Sequence, residues 1–83
     1  MHEWGLVADV VEEVKKQAAA NNIITVTEIH IGLGKKADLS TEGFKICFEA
    51  LSKDTIMEKA KLQVKYRPDH ILTVDTISGT QKE

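Results

Sequence analysis

From Glu3 to Asn21 apolar residues return every three or four positions, at Leu6, Val7, Val10, Val11, Val14 and Ala18. That spacing predicts an amphipathic helix over about 3–21, with Asp9, Glu12, Glu13, Lys15, Lys16 and Gln17 on its other face. Glu12 and Lys16 stand at i,i+4 and are expected to pair. Asn21-Asn22 ends the helix, because Asn tolerates left-handed backbone. Trp4 is expected to fill the core. The period then drops to two. Ile23–Leu33, rich in Ile, Val and Thr, reads as a strand with Ile29, Ile31 and Leu33 on one face and Glu28, His30 and Gly32 on the other. With helices covering one face of a sheet, the second set belongs to a solvated face rather than to a metal site.

Helical spacing returns at Phe44, Cys47, Phe48 and Leu51, predicting a helix over about 40–52 with Ser40 as its cap and Glu42 in its first turn. Cys47 in that stripe reads as a small buried hydrophobe. Asp54–Lys59 is a charged connector with room for one helical turn. Lys61–Arg67 alternates, which predicts a strand over about 61–67 with Leu62, Val64 and Tyr66 facing in. Pro68-Asp69 marks a turn, and a returning strand over about 70–78 would make an antiparallel hairpin before a frayed tail at 79–83. The order α-β-α-β-β describes a single α+β domain over 1–83. Its expected form is a two-layer sandwich, a small three-stranded mixed sheet with two helices on one face.

At 83 residues the chain lies near the lower limit for a self-sufficient core. Eleven basic and thirteen acidic residues, well mixed, indicate neither a nucleic-acid-binding surface nor a polybasic membrane patch. No apolar run is long enough for a membrane span, and the start lacks the basic region of a signal peptide, so a cytoplasmic protein is expected. Cys47 is the single cysteine. One thiol with the dispersed His2, His30 and His70 cannot close a tetrahedral zinc site within the chain, so no structural zinc is expected. There is no G-K-[ST] loop, nucleophile elbow or HExxH spacing, and an enzyme is not expected.

The chemistry concentrates at the first residues. The α-amine of Met1, the amide nitrogen of His2 once deprotonated, and His2 Nδ1 can all reach one metal, closing a five- and a six-membered ring in one plane. Planar nitrogen coordination suits Ni(II) or Cu(II) and fits Zn(II) poorly.

Met1-His2-Glu3 leading into an amphipathic helix, the strand Val26–Gly32 with its Ile31-Gly32 end, Leu39–Leu51, and Thr55–Val64 together resemble the HypA/HybF family. Its members are nickel-insertion metallochaperones of [NiFe]-hydrogenase maturation, some of which also assist urease. The resemblance implies Ni(II) carried as cargo, with no chemical conversion. It also implies a metal held by the Met1 amine, the His2 amide and imidazole, and the backbone nitrogen of Glu3 or a partner's side chain. The implied partner is the nickel-handling GTPase HypB, met by the first helix; the hydrogenase large subunit and a weak homodimer are left open. The departure is the family's four-cysteine zinc module, which this chain replaces with little more than Pro68-Asp69-His70. The rival expectation is a metal-free adaptor of the same fold.

Overall fold

The computed structural model describes residues 2–82, apart from the side chains of His2 and Glu3. Helix α1 spans His2–Ala20, strand β1 Ile23–Leu33, helix α2 Thr41–Ser52, strand β2 Lys61–Tyr66 and strand β3 Leu72–Gln81, with a short 3₁₀ turn at Lys35–Ala37. This is the expected α+β sandwich of two helices and a three-stranded mixed sheet.

The apolar stripe of α1 does what its spacing requires. Val7, Val10, Val11, Val14 and Ala18 are buried against Val26, Ile29, Ile31 and Leu33 of β1 and against Phe44, Cys47 and Phe48 of α2. The rings of Phe44 and Phe48 stack with centroids 5.9 Å apart. Asn22 takes the left-handed conformation, φ 58°, that lets α1 stop at Ala20 and β1 begin at Ile23. Ser40 caps α2 by accepting from the Gly43 amide at 2.9 Å.

Several expectations are corrected. Trp4 is 42% exposed and lies outside the core, whose place for a large flexible side chain is taken by Met57 from the connector, fully buried. Glu12 pairs with Lys15 rather than Lys16, at 3.2 Å, and Lys16 reaches Glu13 at 4.0 Å. Both are exposed i,i+3 pairs, worth a few tenths of a kcal/mol at most. Tyr66 points to solvent, 62% exposed, because β2 has reached the end of the sheet there.

The largest correction concerns the hairpin. β2 and β3 do not pair: the order is β2-β1-β3, with β1 parallel to β2 and antiparallel to β3. β1 offers eleven residues and β2 six. A ten-residue strand therefore satisfies more of its backbone groups beside β1 than it could on the outer edge of β2. The pairing reaches Gly79 opposite Val26 and Gln81 opposite Ile23, so the expected frayed tail is ladder as far as Gln81. The Lys82 amide adds a bond to the Asn22 carbonyl at 2.8 Å.

Candidate metal-holding chain start

His2 and Glu3 open α1, and the stripe that anchors this helix begins at Val7, fully buried. Four residues of helix rise about 6 Å, so the Glu3 backbone stands roughly one turn from the first anchor. The first four N–H groups of a helix have no partner within it, and the His2 and Glu3 amides are among them. The Met1 amine and the His2 imidazole, the other donors expected of the chelate, lie outside the described residues. Among the described residues no group of three or more His, Cys, Asp or Glu side chains comes together to hold a metal.

The other histidines are placed apart. His30 lies on the open face of the sheet, its Nε2 2.7 Å from Glu28 Oε2, as expected of a solvated strand face. His70 sits in the link between β2 and β3. Cys47 is a free thiol buried in the α2 stripe.

That link, residues 67–71, bears on the chain start through its position. It crosses the end of β1: the Arg67 amide donates to the Leu33 carbonyl and the Gly34 amide to the Ile71 carbonyl, both at 2.9 Å. Gly34 lies beneath the link, where a Cβ would overlap the His70 carbonyl group. Beyond it, Ile71, Leu72 and Val74 line a groove with Leu6, Asp9, Val10 and Glu13 of α1. The C-terminal end of α1 instead meets the far end of β3, where Gln81 Nε2 donates to the Asn21 carbonyl at 3.2 Å. Helix start and link therefore occupy the same end of the molecule.

A polar network on the open face holds the link. Arg67 Nε donates to Asp75 Oδ2 at 2.9 Å, and Thr73 Oγ1 donates to Asp75 Oδ1 at 2.8 Å. Asp75 is the additional residue of a β-bulge, since Thr76 pairs with His30 and Val74 with Ile31. The Arg67 stem passes over Gly32: a Cβ there would lie 2.6 Å from Arg67 Cδ and closer still to Thr73 Oγ1. Partial burial alone would raise the Asp75 pKa. The hydrogen bonds from Thr73 and Arg67 outweigh it, with the positive fields of Arg67 and His70, and leave the carboxyl below its ordinary range. Sequence reasoning missed this network. The available signal was Gly32 itself, since a glycine inside a strand marks a place where another group approaches the backbone.

A family model described as "Hydrogenase/urease nickel incorporation, metallochaperone, hypA" matches residues 1–73. The chain belongs to the HypA family. It is 34% identical over 62 residues to the hydrogenase maturation factor HypA of Actinobacillus succinogenes, covering 75% of this chain and 55% of that protein. It is 36% identical over 64 residues to that of Chlorobium phaeobacteroides, covering 77% and 57%. It thus spans little more than half the length of these HypA relatives. The fold matches the solution structure of the Ni metallochaperone HypA from Helicobacter pylori with a TM-score of 0.72 at 19% identity, covering 81% of this chain and 58% of that one. HypA is a family of metallochaperones, which carry a metal rather than convert a substrate. Among the described residues no helix is long and apolar enough to cross a membrane.

Proposed function

We propose that this chain carries Ni(II) at its N-terminus and delivers it for [NiFe]-hydrogenase maturation in the cytoplasm. The observation that carries the reading is the Met1-His2-Glu3 order leading into α1, whose first buried anchor, Val7, is four residues beyond Glu3. The Met1 amine, the deprotonated His2 amide and His2 Nδ1 supply three in-plane donors, and the Glu3 backbone nitrogen or a partner's side chain supplies the fourth. The helix makes no use of those two amides in its own ladder, so deprotonating them sacrifices no helical hydrogen bond. No structural zinc accompanies the nickel, because the one thiol is committed to the α2 stripe. The proposed partner is HypB, with the exposed Asp9, Glu12 and Glu13 of α1 contributing to the contact; the hydrogenase large subunit is the proposed acceptor.

The test is calorimetric titration of Ni(II) into protein with its native N-terminus and into protein bearing a permanent two-residue N-terminal extension. The extension turns the Met1 amine into an amide and should destroy the tight site without unfolding the domain. His2→Ala should do the same, while His30→Ala and His70→Ala leave the site nearly intact. Affinity should rise with pH, as binding displaces protons from an amine of pKa about 7.7–8 and from at least one amide. Extended protein that binds Ni(II) as tightly, with a paramagnetic octahedral spectrum, would refute the amine-anchored site. Absence of binding to the native form would favour the metal-free adaptor.

A further inference from the structure

The first turns of α1 are anchored by the buried Val7 and Val10, but beside these they face a groove toward the start of β3. Of the residues they meet across the groove, Ile71 is 50% exposed and Leu72 and Val74 are only half-buried. Apolar burial alone therefore fixes this contact weakly; Leu72–Val74 are held by their ladder with β1, and Ile71 by what ties down the link before it. The link carries the two backbone bonds to β1 and a turn bond from the His70 amide to the Arg67 carbonyl at 3.1 Å. Its one charged tie among the described residues is Arg67 to Asp75.

We propose that Arg67 is a positioning residue: its ion pair with Asp75, seated over Gly32, clasps the link across the end of β1 and so fixes the first turns of α1 that carry the chain start. Three features make the pair a clasp rather than an ordinary surface contact. Gly32 leaves the space through which the Arg67 stem crosses the central strand. The bulge gives β3 an additional residue, Asp75, on the open face, opposite the junction of His30 and Ile31 near the end of β1. Thr73 holds the second carboxylate oxygen, so Asp75 is fixed before Arg67 meets it. A lysine would not substitute, because the donor here is the Nε of a planar guanidinium partway along the side chain. The two side chains are 39% and 23% exposed, so water screens the pair and the expected effects are moderate.

The nickel arm of the test rests on the proposed function; the exchange arm does not. Hydrogen exchange of the ¹⁵N-labelled 83-residue chain is followed by NMR for the wild type, Arg67→Met, Asp75→Asn and the double variant. Arg67→Met keeps the stem over Gly32 and removes the charge; Asp75→Asn keeps the volume, should the first prove too unstable. Each single variant should speed exchange at the Gly34 and His70 amides, and at the first bonded amides of α1 from Leu6 to Val10, by roughly three- to tenfold. The Val26 and Phe44 amides, bonded elsewhere, should not change. The double variant should be no worse than either single, because one interaction is lost once. In calorimetry with Ni(II), the single variants should bind at least threefold more weakly than wild type.

Unchanged exchange at Gly34 and His70, or single effects that simply add, would overturn the clasp. Faster exchange in the link with α1 amides and nickel affinity unaltered would overturn its role in positioning. Wild-type protein that binds no nickel would refute the proposed function and leave the clasp to be decided by exchange alone.

Discussion

Gly34→Ala and Gly5→Ala introduce the same methyl group and should move stability in opposite directions. Gly34 has φ −103° and ψ 165°, extended backbone that alanine adopts freely, so any cost there is steric. The added Cβ would overlap the His70 carbonyl and lie 2.8 Å from the Arg67 carbonyl oxygen. Both obstacles are backbone, so no side-chain rotation relieves them and the link must lift. Lifting it separates the Gly34–Ile71 and Arg67–Leu33 bonds, each worth about 0.5–1.5 kcal/mol net. The reduced freedom of the unfolded chain returns about 0.4–1 kcal/mol, leaving a loss of roughly 1.3 kcal/mol at the midpoints of these ranges. Gly5 lies in α1 with open space, nothing within 4 Å, where the methyl group would stand, and alanine there should gain about 0.5–1 kcal/mol through helix propensity. Urea denaturation followed by circular dichroism measures both, and in a domain of this size 1 kcal/mol moves Tm by about 4–8 °C. Gly34→Ala within about 0.5 kcal/mol of wild type, or stabilising like Gly5→Ala, would refute the close approach of the link to β1.

Met57→Ala should cost about 2–5 kcal/mol by denaturation, since the side chain is fully buried, whereas Ile46→Ala, 61% exposed, should stay within about 0.5 kcal/mol. The depressed pKa of Asp75 means its contribution is fully present above the unfolded value of about 3.9 and is lost as pH falls through the lower folded value. Asp75→Asn should therefore destabilise the protein most above pH 4 and approach wild-type stability in stronger acid, read from denaturation at a series of pH values. Charge reversal at Glu12 and Glu13 should weaken capture by the proposed partner, HypB, in a pull-down; undiminished capture would remove this face of α1 from the proposed contact.

Legibility followed the kind of interaction. Both helices and β1 could be read from the chain, because burial of Val7 to Ala18, Phe44 to Phe48 and Ile29 to Leu33 imposes its period on the sequence. Strand partnership could not. A hairpin and a crossing link make the same demand on Pro68 and Asp69, and the choice rests on backbone groups along β1 that leave no side-chain trace. The end of β3 was hidden for the same reason, Gly79, Thr80 and Gln81 being paired through main chain while their side chains are polar. Met57 was missed because it enters the core from a connector without periodicity. Of the expected chelate, the Met1-His2-Glu3 order can be read directly because its donors are adjacent in the chain. The Arg67–Asp75 clasp cannot, since a bulge and two glycines decide where those side chains meet.

The central position of β1 has a consequence for how the protein is made. Its two neighbours come from different distances along the chain: β2 follows after one helix, but β3 follows only after β2 and the link. Until Leu72–Gln81 has left the ribosome, one long edge of an eleven-residue strand with an apolar inner face stands unpaired. Such an edge is a template for pairing with other chains, and non-local closure of this kind is slow compared with forming the helices. Chains truncated shortly before β3 should therefore aggregate rather than remain as soluble four-element domains, although the core residues of α1, β1 and α2 would all be present.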